Sequence, residues 1–67
     1  MAKKKQFTQF DVLEALDRTA VIGDLFYERV AKHHFVKSKK DIKYKAEMVS
    51  ELIAEIYQDI GQYMSEE

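Results

Sequence analysis

Apolar residues recur in alternating steps of four and three along two stretches of this 67-residue chain, and the second stretch begins thirty residues after the first. The mean spacing of about 3.5 residues is typical of helices that pack side by side at a shallow left-handed angle. We call these positions the seam, which comprises Val12, Leu16, Thr19, Gly23, Phe26 and Val30, followed by Ile42, Ala46, Val49, Ile53, Ile56 and Ile60. The pattern predicts an all-α fold in which two antiparallel helices form a hairpin.

Capping signals predict where the two helices begin. Thr8 and Asp11 have the spacing of a capping box, in which the Thr8 hydroxyl accepts from the Asp11 amide and the Asp11 carboxylate accepts from the Thr8 amide. Ser38 stands at the equivalent place before the second stretch, and the chain contains no proline to break either helix. We expect a single domain over residues 1–67, with a first helix at about 9–35, a turn at about 36–38, a second helix at about 39–63, and frayed ends at 1–6 and 65–67.

The apolar surface of the predicted helices is too wide for one hairpin to cover. On each helix the apolar residues span an arc of about 140° to 180°, whereas contact with one neighbour needs only a narrow stripe. A chain of this length buries only about 60% of the surface that it exposes when unfolded, and it has no cysteine to form a disulfide. We therefore predict a homodimer in which two hairpins form a coiled-coil-like four-helix bundle, with Gly23 at a close approach of two backbones. The alternative is a monomer with part of its aromatic surface exposed.

No group of residues predicts catalysis, a metal site or a cofactor. His33 and His34 are the only histidines, and no carboxylate lies three or four residues from either one, the spacing at which a helix holds a metal ion. We expect His33 to continue the seam and His34 to lie near the turn. The carboxylates fall on the outer sides of the helices, where nothing desolvates them for acid–base chemistry. The sequence therefore predicts a protein that is not an enzyme.

Two features favour another protein as the partner. Acidic residues recur at every fourth position in what we call the acidic ladder, Glu47, Glu51, Glu55 and Asp59. Val21 and Leu25, which we call the outer patch, lie one turn apart on the outer side of the first helix among charged residues. The ladder is suited to docking a basic protein surface or to imitating a phosphate track and occupying a nucleic-acid channel, and the alternative is a face that keeps the chain soluble. The alternative for the outer patch is contact with a third helix in a larger oligomer.

A lysine-rich stretch around the predicted turn favours a different partner, RNA or DNA. This basic segment has six lysines against a single aspartate: Lys32, Lys37, Lys39, Lys40, Lys43 and Lys45. Phe35 and Tyr44 lie among the lysines, and lysines around aromatic rings can bind phosphates and stack on bases. The alternative is a solvated turn that complements acidic residues of a neighbouring subunit.

The balance of charge and hydropathy completes the sequence-based prediction. The net charge is only −1, but residues 46–67 contain six acidic residues and no basic one, so the two ends of the hairpin differ in sign. No apolar run is long enough for a membrane span or a cleavable signal, so we expect a cytoplasmic protein. We predict a small homodimeric regulator or adaptor that binds another protein. The alternative is a dimeric RNA- or DNA-binding hairpin that uses the basic segment.

Overall fold

The computed structural model describes residues 7–64, and helices are the only regular elements in that range. Helix α1 spans Gln9–Phe26 and runs directly into a π-helical turn at Tyr27–Ala31. A short helix, α2, follows at His34–Ser38, and the long helix α3 spans Lys40–Gly61. The all-helical prediction is confirmed, but residues 7–64 form three α-helices where two were predicted. The ends for which we predicted fraying, 1–6 and 65–67, lie outside the described residues.

The start of α1 follows the predicted capping box. The Asp11 amide donates to the Thr8 hydroxyl over 3.2 Å, and the Thr8 amide donates to the Asp11 carboxylate over 2.9 Å. The Gln9 side-chain amide donates to the carbonyl of Tyr63 at 3.1 Å, and the ring of Phe7 meets the Tyr63 ring edge-on with 5.9 Å between centroids. The beginning of α1 therefore lies beside the end of α3.

The predicted first helix at 9–35 and turn at 36–38 differ from the structure. The Lys32 amide donates to the Tyr27 carbonyl at 2.9 Å, a bond to the fifth residue back that widens the last turn, and regular hydrogen bonding then stops. The His33 ring caps α2 by accepting from the Phe35 amide through Nδ1 at 3.1 Å. His33 is exposed and does not continue the seam as predicted. The chain changes direction here at a side-chain cap, and neither proline nor glycine marks this turn in the sequence.

A single residue separates α2 from α3. Lys39 has an extended backbone (φ −109°, ψ 107°), so α3 begins at Lys40, one residue later than predicted, and ends two residues before Tyr63. No side chain caps the start of α3. The Ser38 hydroxyl, which we expected to cap the second helix, instead donates to the Phe35 carbonyl within α2 at 2.6 Å.

At Gly23 the backbone of α1 lies against a side chain of α3. A Cβ atom built on Gly23 would lie 3.1 Å from Cγ2 of Ile53, whereas the predicted close approach of two backbones stays a prediction. Even so, Val12 and Ala46 are the only buried hydrophobic residues in the described part of the chain. The molecule measures 53 × 20 × 16 Å, and two helices side by side, each about 10–12 Å across, fill its width. A single layer of this kind cannot enclose a core.

The seam divides into two groups. Val12 and Ala46 are buried between the two helices, and six further seam residues are half-buried there: Leu16, Thr19, Gly23, Phe26, Ile53 and Ile60. The remainder are exposed in the single chain: Val30, Ile42, Val49 and Ile56. The contact between α1 and α3 thus accounts for only part of the predicted apolar pattern.

Candidate interaction surfaces

The paired helices present two broad sides, which differ in chemistry. A cleft of about 290 Å³ lies on one side and includes Val12, Ala15, Ile60 and Tyr63. At about 100° per residue, further apolar residues of α1 and α3 fall on the same side. We call this side the apolar face and define it by Ile22, Val49, Leu52, Ile56 and Tyr63.

The apolar face is open to solvent in the single chain. Ile22 is 58% exposed, Leu52 is 55% exposed and Ile56 is 50% exposed. Large side chains exposed at isolated positions are ordinary on protein surfaces, but a contiguous group of this kind marks an interaction site. The apolar face is therefore the strongest candidate for contact with another chain.

The opposite side of the pair carries a shallow groove of about 400 Å³. Its floor is made of small residues, namely Thr19, Ala20 and Gly23 on α1 with Ser50 and Ala54 on α3. We call this side the groove face. Tyr27 and Tyr57 line its two ends, since each lies four residues beyond the Gly23–Ile53 contact on helices that run in opposite directions. The groove between them is about 12 Å long, or two helical turns.

The acidic ladder does not form one surface. Successive residues four apart rotate by about 40° around a helix, so the ladder winds from the edge of the groove face at Glu47 to the far side of α3 at Asp59. Glu47 is 3.8 Å from the Lys43 ammonium. Within residues 7–64, Glu51, Glu55 and Asp59 have no basic group within 4.0 Å. The structure brings Glu47 and Glu51 to the groove edge and leaves Glu55 and Asp59 away from it.

The outer patch lies on the side of α1 that faces away from α3. Val21 and Leu25 are each 50% exposed, as the sequence predicted. Phe10 lies on the same side three turns earlier and is 69% exposed, and we did not predict it as part of this surface. The signal was available in the sequence, because eleven residues bring a helix back to within about 20° of its starting direction. The structure separates the outer patch from Glu55 and Asp59 by the width of both helices.

The six lysines of the basic segment are all exposed, and they surround α2 and the start of α3. Lys32 lies 3.6 Å from the Glu28 carboxylate and 5.6 Å from the centre of the Tyr27 ring, and Lys39 lies 5.9 Å from the centre of the Phe35 ring. The other lysines apart from Lys43, which are Lys37, Lys40 and Lys45, have no carboxylate within 4.0 Å among the described residues. These three ammonium groups are available to a ligand.

Neither a candidate metal cluster nor a candidate membrane span occurs among residues 7–64. Residues 7–64 contain no group of three or more side chains that could hold a metal ion. No helix in the same range is long and apolar enough to cross a membrane. The one unusual polar atom is the Ser50 hydroxyl oxygen, which is buried beside the groove without a hydrogen-bond partner.

Comparison with protein-family models, with curated proteins and with solved structures finds no match to this chain. The function proposed for this chain therefore rests on its own surfaces.

Proposed function

We propose that this chain is a small homodimeric interaction module, a regulator or adaptor that binds another protein. In this proposal α1 and α3 act as a helical hairpin, and two copies join through their apolar faces to form a four-helix bundle. One observation carries the proposal. Sixteen large apolar side chains of the described residues are more than a third exposed, while only two hydrophobic residues are buried.

Burial of the apolar face supplies the free energy of association. Fully burying a large apolar side chain is worth about 1.5–3 kcal/mol, so covering the exposed half of Ile22, Leu52 or Ile56 is worth about 1 kcal/mol each. An isologous contact uses every such residue twice, once from each copy. The resulting bundle encloses the core that the single layer of helices lacks.

Two matched substitutions test the dimer. Ile56 lies on the apolar face and Leu25 on the outer side of α1, and each is 50% exposed in the single chain. Ile56→Asp would place a charge in the interface, so we expect this variant to dissociate, whereas Leu25→Asp should leave association unchanged. Sedimentation equilibrium at micromolar concentration distinguishes the 7.9 kDa chain from its dimer.

The two variants give the dimer proposal clear ways to fail. If the unmodified protein sediments as a folded monomer, the apolar face does not self-associate. If Leu25→Asp dissociates the protein and Ile56→Asp does not, the outer side of α1 is the true interface. Circular dichroism on the same samples separates loss of association from loss of helix.

The protein partner would meet the surfaces that remain after dimerisation. The outer patch, Val21 and Leu25, points away from α3 and stays exposed in the proposed bundle, as do Glu51 and Glu55 of the acidic ladder. A partially apolar surface with acidic neighbours suits a partner that presents basic and apolar side chains together.

An RNA- or DNA-binding function is the second candidate, supported by the unpaired ammonium groups of Lys37, Lys40 and Lys45 beside the exposed rings of Phe35 and Tyr44. Phosphate binding by lysines releases counterions, so affinity falls steeply with salt. A retardation assay with RNA and DNA at two salt concentrations tests this function. Binding that weakens steeply at the higher salt concentration would favour it, and absence of binding at low salt would exclude it.

A further inference from the structure

We propose that the groove face is the docking site for a basic amphipathic helix of a partner protein. The inference rests on the proposed dimer, because a second copy on the apolar face leaves the groove face on the outside of the bundle. It adds the groove face to the surfaces that remain exposed in the proposed bundle, and it identifies the chemistry of the partner.

The groove has the shape that a helix needs. Thr19, Ala20 and Gly23 on one wall and Ser50 and Ala54 on the other leave space that larger side chains would fill. The two tyrosines that close the ends are about two helical turns apart. This length accepts side chains at positions i, i+3 or i+4, and i+7 of one bound helix, the anchors of helix-in-groove recognition.

The Ser50 hydroxyl gives the groove a specific polar requirement. Its oxygen is buried and has no hydrogen-bond partner, and such a group ordinarily costs about 1–3 kcal/mol. The same residue lines the groove, so a change of the Ser50 χ1 rotamer would turn the hydroxyl towards a donor or acceptor of a bound helix. An amphipathic helix with one small polar residue among its apolar anchors satisfies this requirement.

The charges along the groove identify the partner as basic. Asp24 lines the groove itself, and Asp17, Glu47 and Glu51 lie on the same side of their helices at its edges. Two basic residues lie on this side, both nearer the start of α3 than Glu47: Lys43, which is 3.8 Å from Glu47, and Lys40. At the Tyr27 end of the groove, the Lys32 ammonium lies 5.6 Å from the ring centre and 3.6 Å from the Glu28 carboxylate. In residues 7–64, Asp17, Asp24 and Glu51 have no basic group within 4.0 Å. Lysine or arginine residues flanking the apolar anchors of the partner helix would pair with these carboxylates.

An NMR titration tests the docking site. The probe is an amphipathic helical peptide of leucine and lysine, and its control is the same peptide with glutamate at every lysine position. We expect the lysine peptide to shift the backbone amides of Thr19, Gly23 and Ala54, and we expect the glutamate peptide to leave them unchanged. Equal shifts with both peptides, or shifts confined to Ile22 and Ile56, would overturn the proposal.

Filling the groove provides a matched pair of variants. Ala54→Phe places a ring in the groove, whereas Gln62→Phe places the same ring on the other, exposed side of α3. We expect Ala54→Phe to weaken binding of the lysine peptide by about tenfold or more, which corresponds to about 1.4 kcal/mol. We expect Gln62→Phe to bind like the unmodified protein. Equal weakening by the two substitutions would contradict a site in the groove.

A second copy of the chain is the competing occupant of the groove. The test mixes two kinds of chain. One kind carries a spin label through Ala54→Cys and no isotope, and the other is ¹⁵N-labelled and carries no spin label, so the spin label broadens the ¹⁵N-labelled amides that lie near it. Broadening of Thr19 and Gly23 of the ¹⁵N-labelled chains would show that two copies meet at the groove, and the proposal would fall. If sedimentation shows a monomer while the lysine peptide still shifts the groove amides, the proposed dimer fails and the docking site stands.

Discussion

Gly23 tests the packing of α1 on α3 with a single added methyl group. Gly23→Ala gains about 1 kcal/mol of helix propensity, and Gly23 has no positive φ that would strain an alanine. The new Cβ would lie 3.1 Å from Cγ2 of Ile53, whereas carbon atoms prefer about 3.5–4.0 Å. The χ1 angle of Ile53 must therefore change by about 15° to restore an ordinary contact distance. A χ angle about 30° from its rotamer costs about 0.5–1.5 kcal/mol, so we take the cost of this smaller change as about 0.5 kcal/mol. The net gain expected for Gly23→Ala is thus about 0.5 kcal/mol per chain.

A double-mutant cycle isolates this contact. Ile53→Leu removes the Cγ2 methyl and moves the branch one carbon outward, where it can swing into the groove. In that background Gly23→Ala should gain the full propensity of about 1 kcal/mol, so the coupling between the two positions is about 0.5 kcal/mol. For a chain of this size that coupling is worth about 2–4 °C in melting temperature. Thermal unfolding followed by circular dichroism at one fixed protein concentration measures it, since dimer stability depends on concentration.

Gly61 is the control for this cycle. It is the last residue of α3, and a Cβ there meets nothing within 4 Å. Gly61→Ala should therefore change stability by the same amount with and without Ile53→Leu. If Gly23→Ala changes stability by the same amount with isoleucine and with leucine at position 53, the contact between Gly23 and Ile53 is refuted.

Three further outcomes follow from the same geometry. Thr8→Ala removes one side of the capping box and should cost about 0.5–2 kcal/mol of unfolding free energy in urea titrations, whereas Thr8→Ser should cost little. Gly23→Leu should lower stability by about 1–3 kcal/mol through overpacking against Ile53, and a raised melting temperature would contradict this. In the proposed dimer the turns of the two hairpins should lie at opposite ends of the bundle, because this arrangement places each basic segment beside its partner's Asp59. Dyes attached through Ser38→Cys should then lie about 33 Å or more apart, the length of α3. A short dye-to-dye distance would mean that the two basic segments meet.

The parts of the fold that depend on local chemistry could be predicted from the sequence. The Thr8–Asp11 pair predicted the start of α1, and a glycine in the middle of an apolar pattern indicated tight packing at Gly23, where the structure places the Ile53 side chain. The end of the first helix was not predictable in the same way. Neither glycine nor proline stands there, and the turn depends on a hydrogen bond from Lys32 to Tyr27 and on the His33 cap, both of which ordinary helical residues provide.

The candidate surfaces were predictable by residue but not by arrangement. The exposure of Val21 and Leu25 followed from their place opposite the seam, and the structure agrees. The groove face was missed, because it arises only when the small residues of α1 and α3 are brought together across the pair. Similarly, we did not predict that residues four apart wind around α3, which places Glu47 and Glu51 beside the groove without lining it and turns Glu55 and Asp59 away from it.

The π-helical turn at Tyr27–Ala31 has a consequence for how this chain can change in length. A π turn holds one more residue than an α turn closed between the same neighbours, and its hydrogen bonds reach five residues back. Deleting one residue from this segment would let ordinary α-helical bonding continue to Lys32, with the rotation absorbed at His33, whose backbone is extended rather than helical. The register of α1 against α3 would be preserved. This segment is therefore the place where an insertion or deletion of one residue is best tolerated, whereas the same change inside α1 or α3 would rotate every later side chain away from its partner.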